Sequence, residues 1–417
     1  MSEIAVNGGK RLYGEVSVQG AKNSVLPLLA GSVLCKGECV IHNCPSLSDV
    51  ETSVKILKHL GCRCEKRENT VVTDSSDMSE YSIPDCLMRE MRSSVVFLGA
   101  VIGRAGKAVI SSPGGCELGP RPIDLHLSSL EKMGVTVTEE HGFLNCTAEN
   151  GLHGAEINLV FPSVGATENI ILAAVLASGE TVIHGAAKEP EISDLADFLN
   201  SAGAKISGCG SDTVRIVGVG KLGGTEHTVI PDRIVTATYM ACAAVTGGEI
   251  TLNEVMPPHI VSILWFFRES GCDIKINGKS ITVKAPEKIK RVSTVRSLVY
   301  PGFPTDAGPI AVALMSVADG TSVIVENIFE NRFRYIDELK RFGAKIKTEG
   351  KAAVIEGVGR LSAADCKATD LRGGAALIIA ALCADGTSKI GEIHHIERGY
   401  ENITGTLSAL GADIRIE

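Results

Sequence analysis

Apolar and polar positions alternate along this chain in a phrase that recurs six times. A helix-like stretch ends at a Gly and is followed by a strand with alternating polar positions: LKHLGCRCE at Gly61, LEKMGVTVT at Gly134, LNSAGAKIS at Gly203, FRESGCDIK at Gly271, LKRFGAKIK at Gly343 and LSALGADIR at Gly411. The intervals are 73, 69, 68, 72 and 68 residues. A second phrase, Gly then a short β-branched run, precedes each copy by 23 to 28 residues, at Gly37, Gly106, Gly179, Gly248, Gly320 and Gly386. Two markers that hold one period identify an internal repeat. Before each of these second glycines lies an Ala-, Leu- and Ile-rich stretch: 26–34, 93–102, 166–177, 234–245, 309–317 and 374–383. Too few polar positions interrupt these stretches for a surface helix, so the pattern predicts buried helices. The Gly that closes each second helix supplies a left-handed cap. Alternation such as Lys345, Ile346, Lys347 predicts strands with one wet face.

The unit therefore reads as βαβαββ, about 70 residues of split βαβ type. Six copies predict an α/β protein of two three-repeat domains, sheets outside and apolar helices inside. The first domain is expected to span residues 21–229, the second residues 1–20 with 230–417.

Composition narrows the function. The 417 residues carry 41 Lys and Arg against 49 Asp and Glu, a net charge of −8, and only 17 residues are aromatic. An acidic chain with few stacking platforms argues against nucleic-acid binding. No apolar run reaches the 18 or more residues of a membrane span, and the start lacks the apolar core of a signal peptide. A soluble, cytoplasmic protein is expected. The thirteen cysteines are scattered and odd in number, which reads as reduced thiols. Their spacing, and the adjacency of His394 and His395, give no metal-ligand pattern, so no metal and no cofactor are expected. GVGKLG at Gly218 to Gly223 fits G-x-G-x-x-G, but the GTEHTVIPD that follows is not a helix, so the dinucleotide context is missing.

Candidate chemistry sits where the apolar helices begin. Those starts carry Lys22 and Asn23, Arg92, Ser163 with Val164 and Gly165, Asp232 with Arg233, Thr305 with Asp306, and Asp370 with Arg372. Helix starts offer free N–H groups and a positive dipole end, both of which favour anions. An Asp or Ser there is also an ordinary N-cap. A Lys or Arg opposes the dipole, a cost tolerated where an anion arrives. All six starts occupy one place in the repeat and are expected to face a common cleft, which points to an enzyme acting on a small polyanionic, phosphorylated or nucleotide-linked molecule. One loop departs from the repeat: SSPGGCELGPRP, 111–122, has three Gly and three Pro in twelve residues. It reads as a lid, with Cys116 at its centre near Arg121, the setting of a reactive thiol.

The segments GAKNSVLPLLA, PGGCELGPRPIDLH, PSVGATEN, EPEISDLADFLNSAGA, PDRIVTATYM, PGFPTDAGP, FENRF, DLRGGAALI and HHIERGYE resemble the UDP-N-acetylglucosamine 1-carboxyvinyltransferase (UDP-GlcNAc enolpyruvyl transferase) family, in unbroken order from Val18 to the C-terminus. The resemblance implies the two-domain inside-out α/β barrel of six βαβαββ repeats, the enolpyruvyl transferase fold. It implies transfer of enolpyruvate from phosphoenolpyruvate to the 3-hydroxyl of UDP-GlcNAc with release of phosphate, the step that opens peptidoglycan synthesis. Carried over by motif, Lys22, Arg121 and Arg398 would grip phosphoenolpyruvate, with Arg372 close by. Asn23, Arg92, Arg121, Pro122, Ile123, Asp124, Leu125, Ser163, Val164, Gly165 and Ile328 would line the UDP-GlcNAc site. Asp306 would take the proton of the sugar hydroxyl. Cys116 would protonate the methylene carbon and would be the thiol that fosfomycin alkylates. Asp370 would assist elimination or hold the lid closed. In the family Met-Gln commonly follows the base, whereas Ala307, Gly308 and Pro309 stand here. Two other readings are weighed. The sister enzyme acting on shikimate 3-phosphate carries Lys-Ser-x-Ser-Asn-Arg and Gly-Asn-Ala-Gly-Thr, both absent. A non-catalytic UDP-sugar-binding paralogue would be expected to have lost Cys116, Asp306 or Arg398.

Overall fold

A computed structural model of the chain describes residues 2–111 and 123–417, with the backbone alone of Arg92. Six apolar helices mark the repeats: Lys22–Gly31, Val96–Ala105, Val164–Ala174, Arg233–Thr246, Gly308–Met315 and Leu371–Cys383. In Gly308–Met315 every residue is buried, and in Lys22–Gly31 every one except Asn23. A helix apolar all round has no side to show to water, so it takes the interior.

After each apolar helix comes a strand, then an amphipathic helix. These second helices are Ser48–His59, Asp124–Lys132, Pro190–Ser201, Val261–Glu269, Ile336–Arg341 and Ile403–Ala409. Each of the six glycines that close them adopts a positive φ, from +86° at Gly343 to +107° at Gly203. A β-carbon there would cost strain, so the recurrent Gly is a backbone requirement.

Among the described residues the strands pair as six sheets of three or four strands, with a two-stranded sheet of Leu361–Ser362 and Ala384–Asp385 beside them. In the third repeat Glu180–His184 runs parallel to Glu156–Asn158 and antiparallel to Thr213–Val217, which pairs Lys205–Ser207. Strands from distant parts of the chain complete three other sheets. Leu222–Thr228 lies parallel to Cys35–His42, and Tyr13–Ser17 parallel to Glu249–Asn253. Ile4–Asn7 lies between Thr387–Gly391 and Asp413–Ile416. The burial pattern alternates along most strands, with the wet face outward, as in Thr213–Val217.

The described residues form two compact units, 20–230 and 2–19 with 231–417, each with its own core. In the first, helices Val96–Ala105 and Val164–Ala174 meet so closely that a β-carbon on Gly99 would lie 2.3 Å from the Asn169 carbonyl oxygen. The Asn169 side chain spans the contact: its Oδ1 accepts from Gly99 N at 2.5 Å, and its Nδ2 donates to Val95 O at 3.1 Å. Sheets outside and apolar helices inside give each unit the three-repeat layering that the pattern predicts. Among the described residues no helix is long and apolar enough to cross a membrane.

Candidate functional site

In the unit of residues 20–230, Lys22 is the first residue of its helix and is largely buried. Its Nζ lies 2.7 Å from Asp49 Oδ2, and Asp49 is 1% exposed. A buried ammonium needs such a counter-ion, because each charge alone would cost several kcal/mol to desolvate. Asn23 is exposed beside it. Ser163 caps the helix Val164–Ala174, its hydroxyl accepting from Ala166 N at 3.3 Å. Val164 and Gly165 form that helix's first turn and are half-buried.

The segment Ile123, Asp124, Leu125 opens the helix Asp124–Lys132. Asn169 joins the two starts, with Nδ2 2.8 Å from His126 Nδ1 and 3.3 Å from Gly165 O. A β-carbon on Gly165 would come within 3.1 Å of the His126 ring, so the glycine permits the close approach. Burial pushes the His126 pKa down to about 4. The structure thus brings Asp124 and Leu125 to Ser163, Val164 and Gly165. Arg92 opens the 3₁₀ turn Arg92–Val95. Cys116, Arg121 and Pro122 lie outside the described residues, as does the rest of the 112–122 loop.

In the unit of residues 2–19 and 231–417, Asp306 sits in the 3₁₀ turn Thr305–Ala307. Two arginines hold its carboxylate. Arg332 Nη2 donates to Oδ1 at 2.7 Å and also to Thr305 O at 3.1 Å. Arg372 reaches Oδ2 through Nε at 3.3 Å and Nη2 at 3.2 Å. Both arginine side chains are 3% exposed, against 27% for Asp306. Burial opposes the charge of Arg372, but Asp306, with Tyr400 and Asp232, more than offsets it and raises its pKa. Arg332 Nε and Arg372 Nη1 are buried without a hydrogen-bond partner among the described residues. Unpaired buried donors are uncommon, and two of them lie on the guanidiniums that hold Asp306.

Asp370 is the N-cap of Leu371–Cys383, its Oδ1 accepting from Arg372 N and Gly373 N, each at 3.0 Å. Asp232 caps Arg233–Thr246 in the same way. The ordinary capping role is therefore real at Ser163, Asp232 and Asp370, whereas Asp306 is held by side chains. Ile328 is placed by Glu326, whose Oε1 accepts from Ile328 N at 2.6 Å, Phe329 N at 3.1 Å and the Ser297 hydroxyl at 2.8 Å. The other oxygen of Glu326 accepts from the Thr305 hydroxyl at 2.8 Å, which ties the Ile328 loop to the turn of Asp306. Arg398 is half-buried at the end of the short helix His394–Glu397. The two residues after it pack on the start of Leu371–Cys383. A β-carbon on Gly399 would meet Leu371 at 2.6 Å, and the Tyr400 ring lies 5.9 Å from the Arg372 guanidinium. Pro309 falls in the first turn of Gly308–Met315, where a missing N–H breaks no intrahelical bond, so Ala307, Gly308 and Pro309 keep the helix behind Asp306 intact.

Sequence reasoning missed Arg332, Glu326 and Asp49. Arg332 lies inside the quoted segment FENRF, and its position before an aromatic residue was the available signal. Among the described residues no group of three or more His, Cys, Asp or Glu could hold a metal ion.

The family model for EPSP synthase (3-phosphoshikimate 1-carboxyvinyltransferase) matches residues 6–407. A relative in Caldanaerobacter subterraneus subsp. tengcongensis, UDP-N-acetylglucosamine 1-carboxyvinyltransferase 2, is 51% identical over 99% of both chains. UDP-N-acetylglucosamine 1-carboxyvinyltransferase 1 of Symbiobacterium thermophilum is 49% identical over 98% of this chain and 94% of its own. Among solved structures, the enolpyruvyl transferase NikO from Streptomyces tendae superposes with a TM-score of 0.91 at 24% identity, covering 100% of this chain and 98% of that one. EPSP synthase from Acinetobacter baumannii gives 0.77 at 19% identity, covering both chains fully. These two establish the fold.

Proposed function

Because the chain belongs to the UDP-N-acetylglucosamine 1-carboxyvinyltransferase family, we propose that it transfers enolpyruvate from phosphoenolpyruvate to the 3-hydroxyl of UDP-GlcNAc, in the cytoplasm, as the entry to peptidoglycan synthesis. Cell shape and division would depend on that step. The observation that carries the reading is the partly exposed Asp306 carboxylate held between two buried arginines, Arg332 and Arg372. A carboxylate base beside fixed cations is what addition of a hydroxyl to an anionic enol requires.

In this reading Asp306 removes the proton of the sugar hydroxyl as its oxygen bonds to the central carbon of phosphoenolpyruvate. Cys116 delivers a proton to the methylene carbon, which becomes a methyl group. The product is a tetrahedral phosphate ketal. Elimination takes a proton back from that methyl group and expels inorganic phosphate, restoring the double bond, with Asp370 assisting. Lys22, Arg121 and Arg398 hold phosphoenolpyruvate and stabilise the charge on the leaving phosphate, with Arg372 close by. Asn23, Arg92, Arg121, Pro122, Ile123, Asp124, Leu125, Ser163, Val164, Gly165 and Ile328 receive UDP-GlcNAc. Gly165 lets the His126 ring approach the start of its helix, and Glu326 fixes the loop of Ile328. Fosfomycin would act by alkylating Cys116.

Phosphate release with phosphoenolpyruvate tests the reading, with UDP-GlcNAc and shikimate 3-phosphate supplied in parallel. Release with UDP-GlcNAc alone supports it. Release only with shikimate 3-phosphate would assign the sister activity, and UDP-GlcNAc binding with no turnover would make the chain a binding paralogue.

A further inference from the structure

Ser163, Asp232 and Asp370 cap their own helices. The helix Lys22–Gly31 has no such residue: its N-cap is Ala21, with no side-chain cap bond, and its first residue is a lysine that opposes the dipole. The restraint comes instead from other elements of the same unit. The Ser24 hydroxyl, in the helix's first turn, donates a short hydrogen bond to Asp194 Oδ2 from the helix Pro190–Ser201. The same oxygen accepts from Ile230 N at 3.4 Å, and Ile230 O accepts from Ala21 N at 2.7 Å. Those bonds close a ring through Ser24, Asp194, Ile230 and Ala21. On the other carboxylate oxygen, His227 Nε2 donates at 2.8 Å, with Phe198 edge-on to its imidazole at 5.8 Å. Asp194 is 4% exposed and Ser24 fully buried.

We propose that Asp194 is a positioning residue for Lys22, acting on the helix start through the Ser24 hydroxyl and the Ile230 backbone. The step rests on the role given above to Lys22 as a grip on phosphoenolpyruvate. Asp194 adds a second buried carboxylate to that of Asp49, joined to the first turn through the Ser24 hydroxyl, while Ser24 N and Val25 N donate to Ala21 O. Asp194 also fixes the backbone of residues 21–24, so the long lysine side chain is aimed from a rigid base. Lysine loses much rotamer freedom when it is ordered, and a loosened base would return that freedom at the expense of anion binding. Ser24 and His227 orient the carboxylate.

The test uses full-length Ser24→Ala, Asp194→Asn and the double variant, compared with the parent by two readouts. The first is steady-state phosphate release. Asp194→Asn should raise the KM for phosphoenolpyruvate about tenfold and that for UDP-GlcNAc less than about threefold, with Ser24→Ala smaller in the same direction. The double variant should be no worse than Asp194→Asn, because both changes cut one link. The second readout needs no turnover: the rate of reductive methylation of Lys22, followed by peptide mass spectrometry. Lys22 is 8% exposed, and loosening its helix start should speed labelling severalfold. A lowered thermal midpoint with unchanged phosphoenolpyruvate KM and unchanged labelling would reduce Asp194 to a fold-stabilising role and overturn the proposal. A parent chain that releases no phosphate would refute the assigned reaction, while the labelling rates would still decide the clamp. Ser24→Ala keeps the test decidable if Asp194→Asn fails to fold.

Discussion

Replacing Asp306 by Asn separates its role as a base from its role as a counter-ion. The two arginines approach different carboxylate oxygens, Arg332 at 2.7 Å and Arg372 at 3.2 and 3.3 Å. An amide keeps one acceptor and turns the other position into a donor. The shorter bond will keep the oxygen, so the new NH₂ group faces Nε and Nη2 of Arg372. Both guanidiniums, each 3% exposed, lose their counter-ion, which should cost about 3–5 kcal/mol of stability while no other anion is bound. Arriving phosphoenolpyruvate would bring fresh acceptors to both guanidiniums, so its affinity should change by less than about tenfold, and in the direction of tighter binding.

Turnover behaves differently. A general base contributes roughly 10²–10⁴ to rate, which is about 3–5 kcal/mol at 1.36 kcal/mol per tenfold. The expected result for Asp306→Asn is therefore a kcat lower by two to four orders of magnitude with a KM for phosphoenolpyruvate at or below the parent value. Steady-state phosphate release gives both constants, and direct titration of UDP-GlcNAc checks that its site is intact. A kcat within about threefold of the parent would show that another group removes the proton.

Three further outcomes are expected. His126 is held neutral by burial, with its pKa pushed down to about 4 from an ordinary 6.5; the unfolded chain takes up the proton first, so stability should fall as pH drops from about 6.5 toward 4, by up to about 3 kcal/mol, and His126→Gln should flatten that part of a denaturation-against-pH profile. Asn169→Leu keeps the volume but orphans Gly99 N and the groups Asn169 joins, costing about 3 kcal/mol or more, which calorimetry should read as a midpoint lower by about 6–12 °C; an unshifted midpoint would mean that water replaces these bonds. Cys116→Asp should retain turnover, because a carboxylic acid can also deliver a proton, and should resist fosfomycin, because a carboxylate is a poor nucleophile toward an epoxide; continued inactivation by fosfomycin would place the alkylation elsewhere.

The repeat was legible because its markers are local. A left-handed glycine after a helix and an apolar helix before a β-branched strand are decided within a dozen residues, and Gly61, Gly134, Gly203, Gly271, Gly343 and Gly411 all show the positive φ that the pattern requires. The placement of Lys22, Asp306, Asp370 and Arg372 at helix starts was legible for the same reason, since a helix start is a local feature. Long-range pairing was not. Nothing in the alternation of Leu222–Thr228 says that it belongs beside Cys35–His42, or that Ile4–Asn7 completes a sheet near the C-terminus. Arg332, Glu326, Asp49 and Asp194 escaped detection because each acts on a residue of another element. Arg332 and Asp306 are 26 positions apart, and Ser24 and Asp194 are 170.

The missed residues also explain how a set of cations can fold with nothing bound. A buried guanidinium or ammonium without a counter-ion would cost several kcal/mol, and the proposed site contains several. Each described case carries a carboxylate that meets the cost: Asp49 at Lys22, and Asp306 between Arg332 and Arg372. The chain's net charge of −8 is therefore compatible with local anion sites, because some of its acids serve as internal counter-ions. The balance is incomplete where Arg332 Nε and Arg372 Nη1 have no hydrogen-bond partner among the described residues. Both nitrogens are fully covered by protein, so an anionic oxygen could reach them only if the covering groups moved. The carboxylate of Asp306 stays at the same place, more exposed than the arginines that hold it, and open to a hydroxyl.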